Sequence, residues 1–290
     1  MRTLVITPTY NERENIASFI EAVLAVDPAI HILVVDDNSP DGTGDVADGL
    51  AASTERVHVL HRPSKQGLGA AYVAGFRYAL ARNYDYIVQM DADLSHRPAD
   101  LPRLLRASAE ADLVLGSRNI AGGRVENWSP LRHVISKGGS LYARTLLTMP
   151  VRDITGGFKC FSRRALRAVD LDAVASNGFG FQVEMTYLCY RAGLRIVEVP
   201  IVFPDRTRGR SKMSYKIFGE AARLVWQLRR RTMDGSLTAI WRPPLAEGER
   251  ATPGSTGALL APELPRPEKI PAMDGGGVHR EVFAVIRETA

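Results

Sequence analysis

The stretch TLVITPTYNERENIASFIEAVLAVDPAIHILVVDD, residues 3–37, decides the fold. Its opening, TLVIT (Thr3 to Thr7), places apolar and β-branched side chains at consecutive positions, the pattern of a strand buried on both faces. NERENIASFIEAVLAV then changes the period. Ile16, Ile20, Val23 and Leu24 recur at helical spacing, and Asn11 with Glu14 reads as a capping pair at the helix start. HILVVDD (His31 to Asp37) is a second buried strand.

The same alternation continues outward. NSPDGTG is turn chemistry and leads into a helix from Asp45 to Ala52. RVHVLHR is a third strand, and KQGLGAAYVAGFRYALA is a glycine-rich turn into a helix. YIVQMDAD is a fourth strand followed by the helix DLPRLLRASAEA, and DLVLGSR is a fifth. Strands alternating with helices predict an α/β, mostly parallel, doubly wound sheet with helices on both faces. The second half reads differently. SPLRHVISKGGSLYARTLL is helical, DITGGFKCFSRRAL is a loop and short strand, and GFQVEMTYLCYRAG is a helix. RIVEVPIVF is a strand that runs into the basic loop DRTRGRSKMS. A helix from Ser214 to Arg231 carries Ile217, Ala221, Leu224, Val225 and Leu228 on one stripe, against Lys216, Glu220, Arg223, Gln227 and Arg230 on the other. After Trp241 the composition shifts, and seven of the seventeen prolines fall between Pro243 and Pro271. Three regions are expected: 1–213 a catalytic domain, 214–241 an amphipathic helix, and 242–290 a flexible tail.

The bulk composition constrains function only loosely. A chain of 290 residues, 45% hydrophobic, has enough apolar content for a large core. The net charge of +5 suits an anionic partner such as phosphate, nucleotide or membrane surface, and selects none of them. Two cysteines, Cys160 and Cys189, lie in apolar contexts and read as reduced thiols, not a disulfide framework. The N-terminal apolar run is too short for a signal peptide. No stretch reaches the ~20 apolar residues of a spanning helix, so membrane contact is expected to be peripheral or through a partner.

In an open parallel sheet, ligands bind beyond the carboxyl ends of the strands. There this chain places TPTYNE, DDNSPDGT, DADLSH and GSRNIAGG, four polar strand ends in one sheet. Asp91 and Asp93 stand one residue apart. On an extended strand both carboxylates point the same way, and two hard oxygen ligands suit Mg²⁺ or Mn²⁺. The alternative is a helix cap near Pro98 with Asp91 solvated; the neighbouring polar strand ends favour the clamp. Asp36 and Asp37 pose a similar choice, between a ribose or base contact and an Asx turn, and both readings hold if the two acids divide the tasks. A dehydrogenase would need a glycine fingerprint after the first strand, and TPTYNE has no glycine.

Arg118, Arg132, Arg206, Lys212 and Lys137 form a spread cationic set able to clamp phosphate, with Ser136 and Ser211 as further donors. A solvated basic surface is the alternative; glycine-marked context favours function for Arg118 and Arg206, and the surface reading leads for Lys137. KQGLGAAY is either a phosphate loop or a simple turn. His96 is either an acid or ligand, or a turn histidine bonded to backbone. Glu184 is a buried carboxylate in need of a cation, and a site-facing role is favoured. The helix from Ser214 either packs on the domain or, with Trp226 and its basic end, lies at a membrane interface.

Taken in order, TPTYNE, VVDDNSPDGT, KQGLGAAYVAGF, MDADLSH, GSRNIAGG, DITGGFK, GFGFQVEM and DRTRGRSKMS resemble the family 2 glycosyltransferases of the GT-A fold, and within them the polyprenyl (dolichyl) phosphate mannosyltransferases. The resemblance spans about Thr3 to Met213. It implies inverting transfer of mannose from GDP-mannose to polyprenyl phosphate, or in the alternative transfer of glucose or another sugar from a UDP-sugar. By analogy Pro8, Tyr10, Glu12 and Asp37 hold the nucleotide, with Asp91 and Lys212 beside them. Asp91 and Asp93 hold the divalent metal, Mg²⁺ or Mn²⁺, and Ser95 stands where the family often has a third, glutamine ligand. Arg118, Arg132, Ser136 and Arg206 receive the acceptor phosphate. Asp91, Asp93, Arg118 and Arg206 are thereby the catalytic set. The partners implied are GDP-mannose, polyprenyl phosphate, a membrane surface at its cytoplasmic face, and an integral membrane partner protein; no nucleic acid is among them.

Overall fold

The computed structural model describes residues 1–128, 130–176, 178, 180–204 and 215–234, with backbone alone at 130–133, 215–218 and 220–221. Arg206, Ser211, Lys212, the side chain of Arg132 and the tail 242–290 lie outside the described residues. The elements run β1 (Thr3–Thr9), α1 (Arg13–Leu24), β2 (Ile30–Asp36), α2 (Thr43–Ser53), β3 (Val57–His61), α3 (Leu68–Ala81), β4 (Tyr86–Gln89), α4 (Leu101–Ala107) and β5 (Leu113–Ser117). They continue with β6 (Arg124–Val125), α5 (Pro130–Leu146), β7 (Lys159–Ser162), α6 (Arg163–Ala168), α7 (Gly180–Arg191), β8 (Ile196–Pro200), β9 (Val202–Phe203) and α8 (Tyr215–Met233).

The main sheet has seven strands in the order β3-β2-β1-β4-β7-β5-β8. All neighbours are parallel except β7, which runs antiparallel to both β4 and β5. β6 and β9 make a separate two-stranded parallel ribbon. The consecutive apolar runs are explained by alternation between two cores. Leu4, Ile6, Leu33, Val35, Ile87 and Leu115 feed one, closed by α3, α6, α7 and α8. Val5, Ile32, Val34, Val88 and Val114 feed the other, closed by α1, α4 and Ala47 of α2. Burying each such aliphatic side chain stabilises by about 1.5–3 kcal/mol. Helix α3 sits close on the sheet because Gly75 has no side chain: a Cβ there would lie 2.7 Å from Ile6 Cγ2.

Two local expectations are corrected. Asn11 does not cap α1. It sits at φ 59°, so its amide donates to Ser39 Oγ across the turn (3.1 Å). Glu12 occupies the cap position, makes no side-chain cap bond, and accepts instead from Asn15 Nδ2 (2.9 Å). The fourth strand also stops at Gln89, short of both aspartates.

Helix α8 resolves part of the choice left by its sequence. Val225 and Leu228 are buried and Leu224 is packed against the same core. Tyr187 Oη meets Thr232 Oγ1 at 2.7 Å. Trp226 points outward, 55% exposed. Leu224, Val225 and Leu228 of the inner stripe therefore pack on the domain, while Arg223, Trp226, Gln227 and Arg230 remain exposed.

Candidate active site

Because β1, β2, β4 and β5 run the same way, their carboxyl ends share one edge of the sheet. A cavity of about 210 Å³ opens there, lined by Pro8, Thr9, Tyr10, Glu12, Asp37, Lys65, Gly67, Asp91, Asp93 and Gly178 among others. Six residues proposed from sequence for nucleotide or metal, Pro8, Tyr10, Glu12, Asp37, Asp91 and Asp93, thus meet on one wall-and-floor surface. Lys65 Nζ sits 3.8 Å above the Tyr10 ring, a cation–π pair that places a positive charge at the cavity.

The two aspartates reach the cavity by a turn, not by strand alternation. The chain turns at residues 92–93, Leu94 follows at φ 58°, Asp93 Oδ1 accepts from the Ser95 amide (3.0 Å), and the Asp91 amide donates to His96 Nδ1 (3.2 Å). Asp91 Oδ1 accepts from Tyr72 Oη (3.1 Å). Burial, then the Asp91 charge, holds the Tyr72 phenol well above its usual range, so it stays a donor. His96 is buried, stacked on Phe158 at 5.1 Å, which is the turn-histidine reading. Two carboxylates fit a hard divalent ion that keeps waters or phosphate oxygens as its other ligands. Among the described residues no group of three His, Cys, Asp or Glu side chains comes together as a metal site. Ser95, offered as a third ligand, is buried and is not among the residues that line the cavity.

Asp36 and Asp37 divide the labour. Asp36 accepts from Thr9 Oγ1 (2.8 Å), Ser39 Oγ (2.6 Å) and the Ser39 amide (3.0 Å), which fixes the loop. Asp37 lines the cavity and pairs with Arg62 at 2.6 Å. Burial raises the Asp37 carboxyl and Arg62 draws it back part of the way.

Glu184 is corrected. It is fully buried, but it faces a loop instead of the cavity, accepting from the amides of Ala175 and Ser176 (2.9 Å for the latter), with Arg231 of α8 at 4.0 Å. That loop carries Gly178 to the cavity rim. Gly69, in the glycine turn, is explained by the same loop: a Cβ there would fall 2.0 Å from Ser176 O. Gly67 at φ 97° makes the turn itself.

A second cavity of about 200 Å³ brings Arg118 together with Ser136 and Lys137, and adds Arg124 and Trp128. Arg118 is held by a partner that sequence did not suggest. Its Nε and Nη2 donate to Asp153 Oδ2 and Oδ1 (2.8 and 2.7 Å), and its own amide donates to Oδ2 (2.8 Å). Burial opposes charge on Asp153, yet Arg118 overrides it and holds the carboxyl below its usual range. The guanidinium is thereby fixed with Nη1 outside the pair. Lys137, read as a surface residue, lines this cavity and also an adjacent one of about 370 Å³ with Arg144 and Arg152.

Lys159 was also missed. It projects from β7, fully buried, and its Nζ donates to Gln182 O (2.6 Å) and Thr186 Oγ1 (2.8 Å). Burial brings its ammonium down from 10.5 to about 7. Between those values the unfolded chain binds a proton that the folded chain has released, so this site's contribution to stability rises with pH across that window. Urea unfolding of Lys159→Met followed from pH 7 to 10 is expected to show a flatter rise than wild type; an identical slope would contradict the assignment.

Residues 4–170 match the sequence profile of "Glycosyl transferase family 2", and the chain belongs to that family. It is 54% identical over 221 residues to the undecaprenyl-phosphate mannosyltransferase of Micrococcus luteus, covering 76% of this chain and 91% of that one. It is 51% identical over 234 residues to the polyprenol monophosphomannose synthase of Mycolicibacterium smegmatis, covering 79% and 88%. Among solved structures the fold is similar to glucosyl-3-phosphoglycerate synthase of Mycobacterium tuberculosis, crystallised with Mn²⁺, UDP and glucosyl-3-phosphoglycerate, at a TM-score of 0.58 and 19% identity over 81% of this chain and 80% of that one.

Proposed function

We propose that the protein transfers mannose from GDP-mannose to polyprenyl phosphate, with inversion, giving polyprenyl phosphomannose and GDP. The observation that carries this reading is the pairing of two unlike cavities at one sheet edge. One is acid-lined around Asp91 and Asp93; the other is cation-lined around Arg118. The naming of both close relatives for mannose and a polyprenyl phosphate supports the substrates.

In this reading Pro8, Tyr10, Glu12 and Asp37 hold the nucleotide, and Asp91 and Asp93 hold the divalent metal beside the diphosphate. Arg118 and Ser136 receive the acceptor phosphate together with Arg132, Arg206 and Lys212. When bound, the metal supplies positive charge to the leaving diphosphate. The acceptor phosphate is already an anion near neutral pH, so its oxygen attacks the sugar's anomeric carbon without a general base. As that bond forms, the bond to the diphosphate breaks and its electron pair leaves with GDP. The protein's task is to hold two anions in line and offset their charge, which the fixed guanidinium of Arg118 does without reorganising.

The lipid is met at a peripheral, cytoplasmic-side face made by α5 and α8. Apart from Met1, every large hydrophobic side chain left exposed among the described residues lies on these two helices: Val134, Leu141, Tyr142, Trp226 and Met233. Lys137, Arg223 and Arg230 stand among them, the mixture that interfacial helices use. No helix among the described residues is long and apolar enough to cross a membrane. Direct lipid contact of this kind does not require an integral membrane partner. Residues 1–213 are the catalytic domain in this reading, 214–241 the interfacial helix and 242–290 a tail.

The test is transfer from labelled GDP-mannose to polyprenyl phosphate in vesicles with Mg²⁺ or Mn²⁺, with the product identified by mass. A polyprenyl phosphohexose that disappears with EDTA is expected. Product from UDP-glucose but not GDP-mannose would replace the donor, and no lipid-linked product from either would overturn the reading.

A further inference from the structure

The cavity of about 370 Å³ beside the Arg118 cavity takes no part in the function proposed above. Its size falls in the ~300–1,000 Å³ range of ligand sites. Its walls are Asn119, Lys137, Leu141, Arg144 and Arg152: three cations, an amide and one aliphatic side chain, with no acid among the described residues that line it.

Two parts of the chain build it. Lys137, Leu141 and Arg144 recur at i, i+4 and i+7, so α5 turns them to one side. The other wall is tied by its main chain, where Asn119 Nδ2 donates to Arg152 O (3.3 Å). Glu198 of β8 accepts from the amides of Arg152 (2.8 Å) and Asp153 (2.9 Å), so it fixes that backbone and does not neutralise the guanidinium. Elsewhere arginines are paired, as Arg62 is with Asp37, Arg118 with Asp153 and Arg163 with Asp85. Among the described residues Lys137, Arg144 and Arg152 have no carboxylate partner of this kind. Three positive groups bordering one space repel each other, and an anion between them turns repulsion into attraction. Guanidinium groups grip phosphate oxygens in pairs and a lysine adds a point charge.

The source of the phosphate follows from what stands beside the cations. Val134, Lys137, Leu141 and Arg144 form one stripe of α5 at i, i+3, i+7 and i+10, and Val134 and Leu141 are 69% and 57% exposed. Apolar and cationic side chains alternate along this line, the apolar ones suited to acyl chains and the cations to head groups. A phosphate at a bilayer surface meets both; a phosphate in water meets only the cations. We propose that this cavity binds the phosphate of an anionic phospholipid head group, beside and separate from the acceptor phosphate. The lipid source rests on the membrane face proposed above. Because Lys137 borders both cavities, a phospholipid seated here fixes α5 at head-group depth, next to the place where the acceptor is received.

The experiment follows sedimentation of the full-length protein with phosphatidylcholine vesicles that carry either phosphatidylglycerol or a charge-matched carboxylate lipid, cholesteryl hemisuccinate. Attraction to diffuse surface charge is the same for both and cancels in the ratio of affinities. Wild type is expected to prefer phosphatidylglycerol by about tenfold or more. Arg144→Gln with Arg152→Gln is expected to abolish that preference, and the exposed Arg152→Gln alone to reduce it. Arg223→Gln with Arg230→Gln, which removes as much charge from α8, is expected to keep it. The cavity pair should melt at or above the wild-type temperature, since no ion pair is lost and repulsion eases. No wild-type preference, or equal loss in both double variants, overturns the proposal. Calorimetric binding of inorganic phosphate, or capture of polyglutamate, without a preference between the vesicles overturns the lipid source. Vesicle preference in a protein that forms no lipid-linked sugar sinks the proposed function and leaves this site; transfer without the preference does the reverse.

Discussion

Asp93→Asn is expected to lower mannosyl transfer by about 10²–10³-fold or more while leaving the fold in place. The substitution isolates charge from shape. Asp93 Oδ1 accepts from the Ser95 amide (3.0 Å), and an asparagine side-chain oxygen accepts equally well, so the turn that aims both acids at the cavity survives. What is lost is a negative charge and a strong oxygen ligand for a divalent ion. Turnover and a urea unfolding curve measured on the same preparation check both halves. Near-normal turnover in a folded variant would remove the acid pair from the mechanism.

Asp153→Ala is expected to destabilise the protein by about 3–5 kcal/mol, the largest effect on stability anticipated for a single polar site here. Asp153 is wholly buried and the Arg118 side chain is 10% exposed. Removing the carboxylate leaves a guanidinium out of water with its main partners gone. The test is a double-mutant cycle by chemical denaturation. Adding Arg118→Met to Asp153→Ala should recover most of the loss, because the uncompensated charge leaves with it. Transfer activity should stay low in both variants, since Arg118 no longer stands fixed at the cation-lined cavity. A single variant within about 1 kcal/mol of wild type would show that the pair is not held as described.

The alternating half of the fold was legible because its strands are written as apolar runs that serve two cores at once; Leu4 with Ile6 and Val5 point to different ones. The antiparallel insertion of β7 was not, because KCFS looks like any short strand and its partners are set by distant chain segments. Asp91 and Asp93 are legible by type and place, but strand geometry does not aim them, because β4 ends at Gln89 and the chain turns at residues 92–93. Asp153 was invisible because nothing local links it to Arg118, 35 residues earlier. Lys159 was passed over because a polar residue in a strand usually faces water. The available signal was that apolar residues surround α7 on all sides, from Phe181 through Cys189, so a polar group packed against it must find a partner.

The antiparallel strand also has a consequence for how the molecule is made. β7 is the seam between β4 and β5, and it is translated only after both. Until residues 159–162 emerge from the ribosome, the growing chain carries two unzipped strand edges, each a template for pairing with a neighbouring polypeptide. The acid-bearing and arginine-bearing halves of the edge stay unstitched for the same interval, so synthesis past this seam marks the earliest moment at which both cavities can exist together.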